Sequence, residues 1–222
     1  MFIELVDALR CLTAHDDSWL VAASRRMAGR SIVDGTLGCP VCRREYPVVG
    51  GVAYFGVDAE EPSAGRDAAA VAAGVGGGDD ALRLAALLGL DTPHGTVVLA
   101  GGWARLAPAL RELTSVRCLL LDPLGSWAGR GDEGTSVIRA GGAVPLAAGA
   151  VRGVALDAAT SAPGTVRAAA RALVPGGRLV APAAAEVPEG ISALARDASV
   201  WVGERLAAPS APVPIGRRPP QR

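Results

Sequence analysis

The sequence predicts an α/β protein built in two parts. A small, metal-stapled α+β domain spans residues 1–57, and a compact, doubly wound, mostly parallel sheet spans residues 81–208. Three observations carry this. Five of the eight aromatics (Phe2, Trp19, Tyr46, Tyr54, Phe55) and three of the four cysteines fall in the first 55 residues, so the two parts have different core chemistry. Residues 58–80 hold acids, Pro62, a run of alanines and Gly76-Gly77-Gly78, the composition of a connector. Beyond Asp80, short apolar runs alternate with helical segments, which argues for a parallel sheet covered on both faces.

In the first part, Phe2, Leu5, Val6 and Leu9 recur at helical spacing and predict a short amphipathic helix over residues 2–10. Residues 19–24 and 31–37 read as strands around a basic, Gly-containing turn. A third strand is expected from Tyr46 to Phe55, bent at Gly50-Gly51. In the connector, one helical turn is expected around residues 67–73.

The second part opens with a helix in which Leu82, Ala85, Ala86 and Leu90 share a face, with Gly89 and Pro93 at its end. Strands follow at residues 96–99, 118–121, 137–138, 151–156 and 178–181, and Val200-Trp201-Val202 reads as a last edge strand with no hairpin beside it. Residues 104–113 are helical provided Pro108 lies in the first turn. Residues 166–173 form another helix, and Pro175-Gly176-Gly177 turns the chain into the fifth strand. The Pro-rich tail, residues 209–222, is expected to be disordered.

Composition excludes several function classes. Twenty-two acids balance twenty-two bases, so no global field recruits nucleic acid or anionic lipid. Within residues 1–57, six arginines face six acids, and nucleic-acid binding by this part is disfavoured. The longest charge-free stretch is thirteen residues, 92–104, too short for a membrane span. Glu4 and Asp7 sit where a signal peptide would be basic and then apolar, so a cytoplasmic location is expected. Every base is arginine, which we attribute to base composition.

A domain of under sixty residues buries little surface and needs a staple. Cys39-Pro40-Val41-Cys42 supplies half of one, since two thiolates two residues apart at a tight turn can face one tetrahedral ion. The same spacing serves redox pairs, but those precede a helix in a βαβ unit; here a strand precedes the pair and Tyr46-Pro47 follows, which favours metal. Cys11 and His15 offer the remaining donors, completing a Cys3His zinc site, with Asp16 as the weaker substitute for His15. Cys118, mid-strand in an apolar run, reads as a buried hydrophobe.

The run Leu37-Gly38-Cys39-Pro40-Val41-Cys42-Arg43-Arg44-Glu45-Tyr46-Pro47-Val48, followed by Gly51-Val52, resembles the second half of the Trm-one-twelve-like zinc ribbons. Those are small proteins or domains that activate and stabilise methyltransferases, so the resemblance implies a protein partner. It departs at the first knuckle, where Ala14 replaces a cysteine and His15 becomes the inferred ligand. Over residues 80–185 the chain resembles a class I S-adenosylmethionine-dependent methyltransferase, with a Rossmann-like sheet. The residues that carry this are Leu121-Asp122-Pro123, Ala143-Val144-Pro145-Leu146 with Gly149 and Val154-Ala155-Leu156, and Leu173-Val174-Pro175-Gly176-Gly177-Arg178-Leu179. The resemblance implies Asp122 as a ribose contact, the competing role being a turn cap, and Gly101 and Gly102 as the remains of the cofactor loop. It also exposes departures. Val98 stands at the family's acid, Ala100 and Ala104 at two of its glycines, and Gly142 at the adenine-side acid, while Trp103 sits in the loop where its indole could fill the cavity. Asp157 reads as a turn residue ahead of a substrate-pocket group. No nucleophile–base pair presents itself, and the catalytic residues are undefined by sequence. Two readings follow: a methyltransferase-like protein with a degenerate cofactor loop, or a non-catalytic scaffold that keeps the fold and binds a partner.

Overall fold

The computed structural model describes residues 1–15, 17–57, 78–92, 94–125 and 131–207. Asp16, Pro93, residues 58–77 of the expected connector and the tail 209–222 therefore lie outside the described residues.

Eleven strands form one sheet in the order β1-β2-β3-β4-β7-β6-β5-β8-β9-β11-β10. The first part supplies β1 (Val21–Ala28), β2 (Ser31–Gly38), β3 (Glu45–Val49) and β4 (Val52–Tyr54). The second supplies β5 (Thr96–Ala100), β6 (Arg117–Leu121), β7 (Thr135–Arg139), β8 (Val151–Ala155), β9 (Leu173–Pro182), β10 (Ile191–Arg196) and β11 (Val200–Arg205). Pairing is parallel from β4 through β7, β6, β5 and β8 to β9, with antiparallel flanks. Helices α1 (Gly78–Leu88) and α2 (Ala107–Thr114) pack on one face, around Leu84, Leu88, Leu106 and Leu110. Helix α3 (Pro163–Ala172) packs on the other, with Val166 and Ala169 against Val154 and Leu179. This is the α/β, Rossmann-like arrangement expected.

The two parts contribute strands to one continuous sheet. Strand β4 pairs with β7 in the register Val52↔Val137, Ala53↔Ile138, Tyr54↔Arg139. Without it β7, whose Val137 and Ile138 are fully buried, would present a bare apolar edge. The 3-10 segment Ile3–Ala8, in place of the expected helix, lays Leu5, Val6 and Leu9 against Ile138, Val144 and Leu146. It covers sheet surface that a helix between β7 and β8 would otherwise cover; that connection carries no helix. Backbone bonds bind it there, with Arg10 N donating to Pro145 O at 3.0 Å and Ala147 N to Ala8 O at 2.8 Å. Phe2 is flanked by the guanidiniums of Arg30 and Arg117, both paired to Glu4, which couples the first part to β6. A connector's composition says nothing about what the segments it joins do when they meet.

Smaller expectations also shift. The strand expected over residues 46–55 is a hairpin, β3 and β4, because Gly50 and Gly51 both adopt positive φ (57° and 83°) and reverse the chain. Helix α1 buries Ala81, Leu84, Ala85 and Leu88, leaving Leu82 61% exposed. Its apolar residues are nearly continuous, so periodicity leaves two faces available. On the face it buries, Leu88 packs close over Gly153, where a Cβ would lie 3.1 Å from Leu88 Cδ2. Pro108 does lie in the first turn of α2. Pro175-Gly176-Gly177 forms a bulge within β9, where Val151 pairs with Leu173 but Gly153 with Arg178. The strand at Trp201 is internal, and β10 supplies the outer strand of a final hairpin that the sequence reading had missing.

Candidate metal centre and cofactor-side cleft

The donor atoms of Cys11, His15, Cys39 and Cys42 all lie within 4.8 Å of one another. Cys11 follows the 3-10 segment, and Cys39 and Cys42 form the knuckle between β2 and β3, closed by Arg43 N donating to Cys39 O at 2.9 Å. Arg43 adopts φ 59°, so the chain turns back within one residue of Cys42. Cys11 Sγ lies 3.6 Å from Cys42 Sγ, and Cys39 Sγ lies 3.4 Å from His15 Nε2. A zinc tetrahedron with bonds of about 2.0–2.3 Å separates its ligand atoms by roughly 3.5–3.8 Å. The donor set fits that ion.

The surroundings favour thiolates. Burial opposes ionisation of Cys11, but contacts with the Tyr46 hydroxyl at 3.1 Å and with Thr13 outweigh it and bring the thiol to about 6. The Arg44 backbone N–H, then Thr13, lower that of Cys42. Tyr46 is raised by burial and then by Cys11; its oxygen accepts from Leu12 N at 3.0 Å, and its ring stacks on Phe55 at 4.5 Å. Tyr46 and Thr13 are supporting groups that spacing alone did not single out. For Tyr46 the signal was present in the Tyr-Pro segment beside the knuckle.

At the other site, the sheet order of the second part reverses between β5 and β8. Open α/β sheets offer a ligand crevice beyond the carboxyl ends of the strands at such a switch point. A cleft of about 440 Å³ opens there, lined by Gly101, Asp122, Leu124, Gly142, Thr160 and Thr165 among others. Its polar groups are largely engaged within the protein. Asp122 Oδ1 accepts from Ala140 N at 2.6 Å and Gly141 N at 3.2 Å, and Oδ2 accepts from Gly142 N at 2.7 Å. The carboxylate thus fastens the loop after β7. Thr165 Oγ1 donates to Gly142 O at 2.6 Å, so a glycine where an acid was sought is held by backbone contacts from two sides.

Gly101, at φ 57°, starts the 3-10 turn Gly101–Leu106 after β5. Gly102 N donates to Asp157 Oδ2 at 2.7 Å. Asp157 Oδ1 meanwhile accepts from Thr160 N at 3.0 Å and Thr160 Oγ1 at 2.8 Å. Asp157 is the expected turn residue and also ties the β8 loop to the β5 loop, a contact 55 residues apart that no local pattern announces. Trp103 does not line the cleft. Its indole N–H donates to Leu156 O at 3.1 Å, and its ring packs on the α1–α2 side of the sheet. Val98 is fully buried, so the position of the absent acid faces the core. Cys118 is 2% exposed, and burial raises its thiol to about 12. His94 lies in the loop before β5.

The chain is therefore an α/β protein with a Rossmann-like sheet, a Cys3His cluster at one end and a crevice at the switch point. No family model and no curated protein matches the sequence. Among solved structures, a geranyl diphosphate methyltransferase in complex with SAM matches at 19% identity, over 47% of this chain and 48% of its own, with a TM-score of 0.39. A complex between the Haloferax volcanii Trm112 methyltransferase activator and a methyltransferase matches at 25% identity over 46% and 50%, TM-score 0.37. A Geobacter sulfurreducens methyltransferase matches at 16% over 59% and 78%, TM-score 0.41. The chain spans about half the length of the first two. The sheet order, and not these partial overlaps, defines the fold. Among the described residues, no helix is long and apolar enough to cross a membrane.

Proposed function

We propose that this chain is a methyltransferase-fold protein, stapled by one structural zinc ion, that serves as a scaffold for a protein partner and not as a methyl-transfer catalyst. Cys11, His15, Cys39 and Cys42 hold the ion. Four protein donors close its coordination shell, so the ion supplies folding energy and no reaction site. The ribbon it organises, residues 1–57, caps β7 within the same chain.

The observation that carries the non-catalytic reading is Asp122, whose carboxylate already satisfies three backbone N–H groups. A ribose hydroxyl would have to share a carboxylate already fastened to the loop after β7, with three of its roughly four acceptor sites taken. Methyl transfer depends chiefly on positioning an electrophile against a nucleophile, so a protein that cannot seat the cofactor has little else to offer. The competing enzyme reading is favoured by the cleft itself, about 440 Å³ at the switch point. Equilibrium titration of the zinc-loaded protein with S-adenosylmethionine separates them. A dissociation constant no better than about a millimolar supports the scaffold, and micromolar binding restores the enzyme.

A further inference from the structure

We propose that the Gly101–Gly102 turn is a carboxylate-binding cradle whose occupant is the chain's own Asp157, an internal plug that excludes the carboxylate end of an amino-acid-bearing ligand. The proposal rests on the reading above that the crevice descends from a cofactor site.

The geometry is that of a ligand seated in a site. Asp157 Oδ2 accepts the Gly102 N–H at 2.7 Å. A Cβ on Gly101 would lie 2.2 Å from the same oxygen, so only glycine lets a carboxylate approach this close. The positive φ of Gly101, 57°, adds a second reason for glycine there. Thr160 holds the other oxygen through both its N–H and its hydroxyl, at 3.0 and 2.8 Å, so the carboxylate arrives oriented. Thr160 is itself 7% exposed, and it lines the cleft with Gly101. The β5 loop and the β8 loop are the two that meet at the switch point. A carboxylate bridging them takes up the Gly102 N–H beside the cleft that Gly101 and Thr160 line, and so keeps it from a ligand's own carboxylate.

The test uses the full-length, zinc-loaded protein with Asp157→Ala, and two probes. Sodium formate, against sodium chloride at equal ionic strength, asks whether the cradle accepts a free carboxylate. S-adenosylhomocysteine asks whether it accepts an amino-acid end. The expected results are a melting temperature of Asp157→Ala that rises with formate while wild type responds equally to both salts, and a homocysteine-ligand affinity at least about tenfold above wild type, the worth of one charge-assisted hydrogen bond. Formate rescue without the gain in ligand affinity upholds the cradle and counts against the cofactor-site reading beneath it. No formate response and no gain overturns the proposal. Should Asp157→Ala fail to fold, Asp157→Ser keeps a short hydroxyl acceptor for Thr160 while emptying the cradle. Its ligand affinity is expected to exceed wild type by the same factor, and equality with wild type overturns the proposal.

Discussion

The knuckle and the cleft direct their polar atoms in opposite ways. At the knuckle, Cys11 Sγ and Cys42 Sγ stand 3.6 Å apart, and Cys39 Sγ stands 3.4 Å from His15 Nε2. Thiolates at such separations repel one another, and the contacts from Tyr46, Thr13 and Arg44 that favour ionisation increase the repulsion. A shared proton or a bound cation relieves it, and a zinc ion would do so for all three thiols at once. At the cleft, the carboxylates of Asp122 and Asp157 meet N–H groups of their own chain at 2.6–3.2 Å. Those carboxylates already hold their own loops as they stand. The lesson is that the residues at a site say less about its use than the groups those residues face.

Four substitutions break or sharpen this contrast. The largest effect is expected from Cys39→Ser. Losing a ligand should release the zinc and with it an apparent binding energy of about 10 kcal/mol that folding otherwise gains. Because β4 and β7 share hydrogen bonds and one core, the loss should spread beyond residues 1–57. Hydrogen exchange should show β4 and β7 losing protection together; protection kept in β7 alone would mean that the ribbon is a separate unit. Leu9→Ala tests the same coupling without touching a ligand. Leu9 is fully buried against the sheet, and its truncation should cost about 3 kcal/mol in urea unfolding while zinc stoichiometry is retained.

Legibility in the sequence divided along chemical lines. The knuckle was readable because its chemistry is local: Cys-x-x-Cys spacing and a thiol with an imidazole four residues on. The central strands were readable because a buried parallel strand is a short apolar run between turns. Three things were not. The partner of β4 is set by a register between segments 85 residues apart (Val52↔Val137), which no periodicity encodes. The buried face of α1 is set by tertiary packing, in which Leu88 comes close over Gly153 of another element. The roles of Asp122 and Asp157 depend on which N–H groups reach them, and those come from loops distant in sequence.

At the cleft, Asp122→Ala should leave three N–H groups without their acceptor. A loss of about 2–3 kcal/mol is expected in thermal or urea unfolding, with no change in affinity for S-adenosylmethionine. A stable variant that lost measurable cofactor binding would return Asp122 to the ribose. The smallest effect belongs to Asp197, an aspartate that holds the β10–β11 turn and lines neither site. Backbone N–H of Val200, then the Ser199 hydroxyl and N–H, lower its carboxyl to about 2. Its folded value lies below the ordinary carboxylate, so its contribution is complete above about pH 4 and is lost as pH falls toward 2. Asp197→Asn should remove that acid sensitivity, read as hydrogen exchange in β10 and β11, and leave zinc content untouched.

A stepwise calorimetric titration tests the contrast most directly: metal-free, reduced protein is titrated first with zinc and then, in the same cell, with S-adenosylmethionine. One equivalent of zinc should bind tightly through Cys11, His15, Cys39 and Cys42, and the cofactor should then give no saturable heat up to about a millimolar. Weak or non-stoichiometric zinc followed by micromolar cofactor binding would contradict the account at both ends.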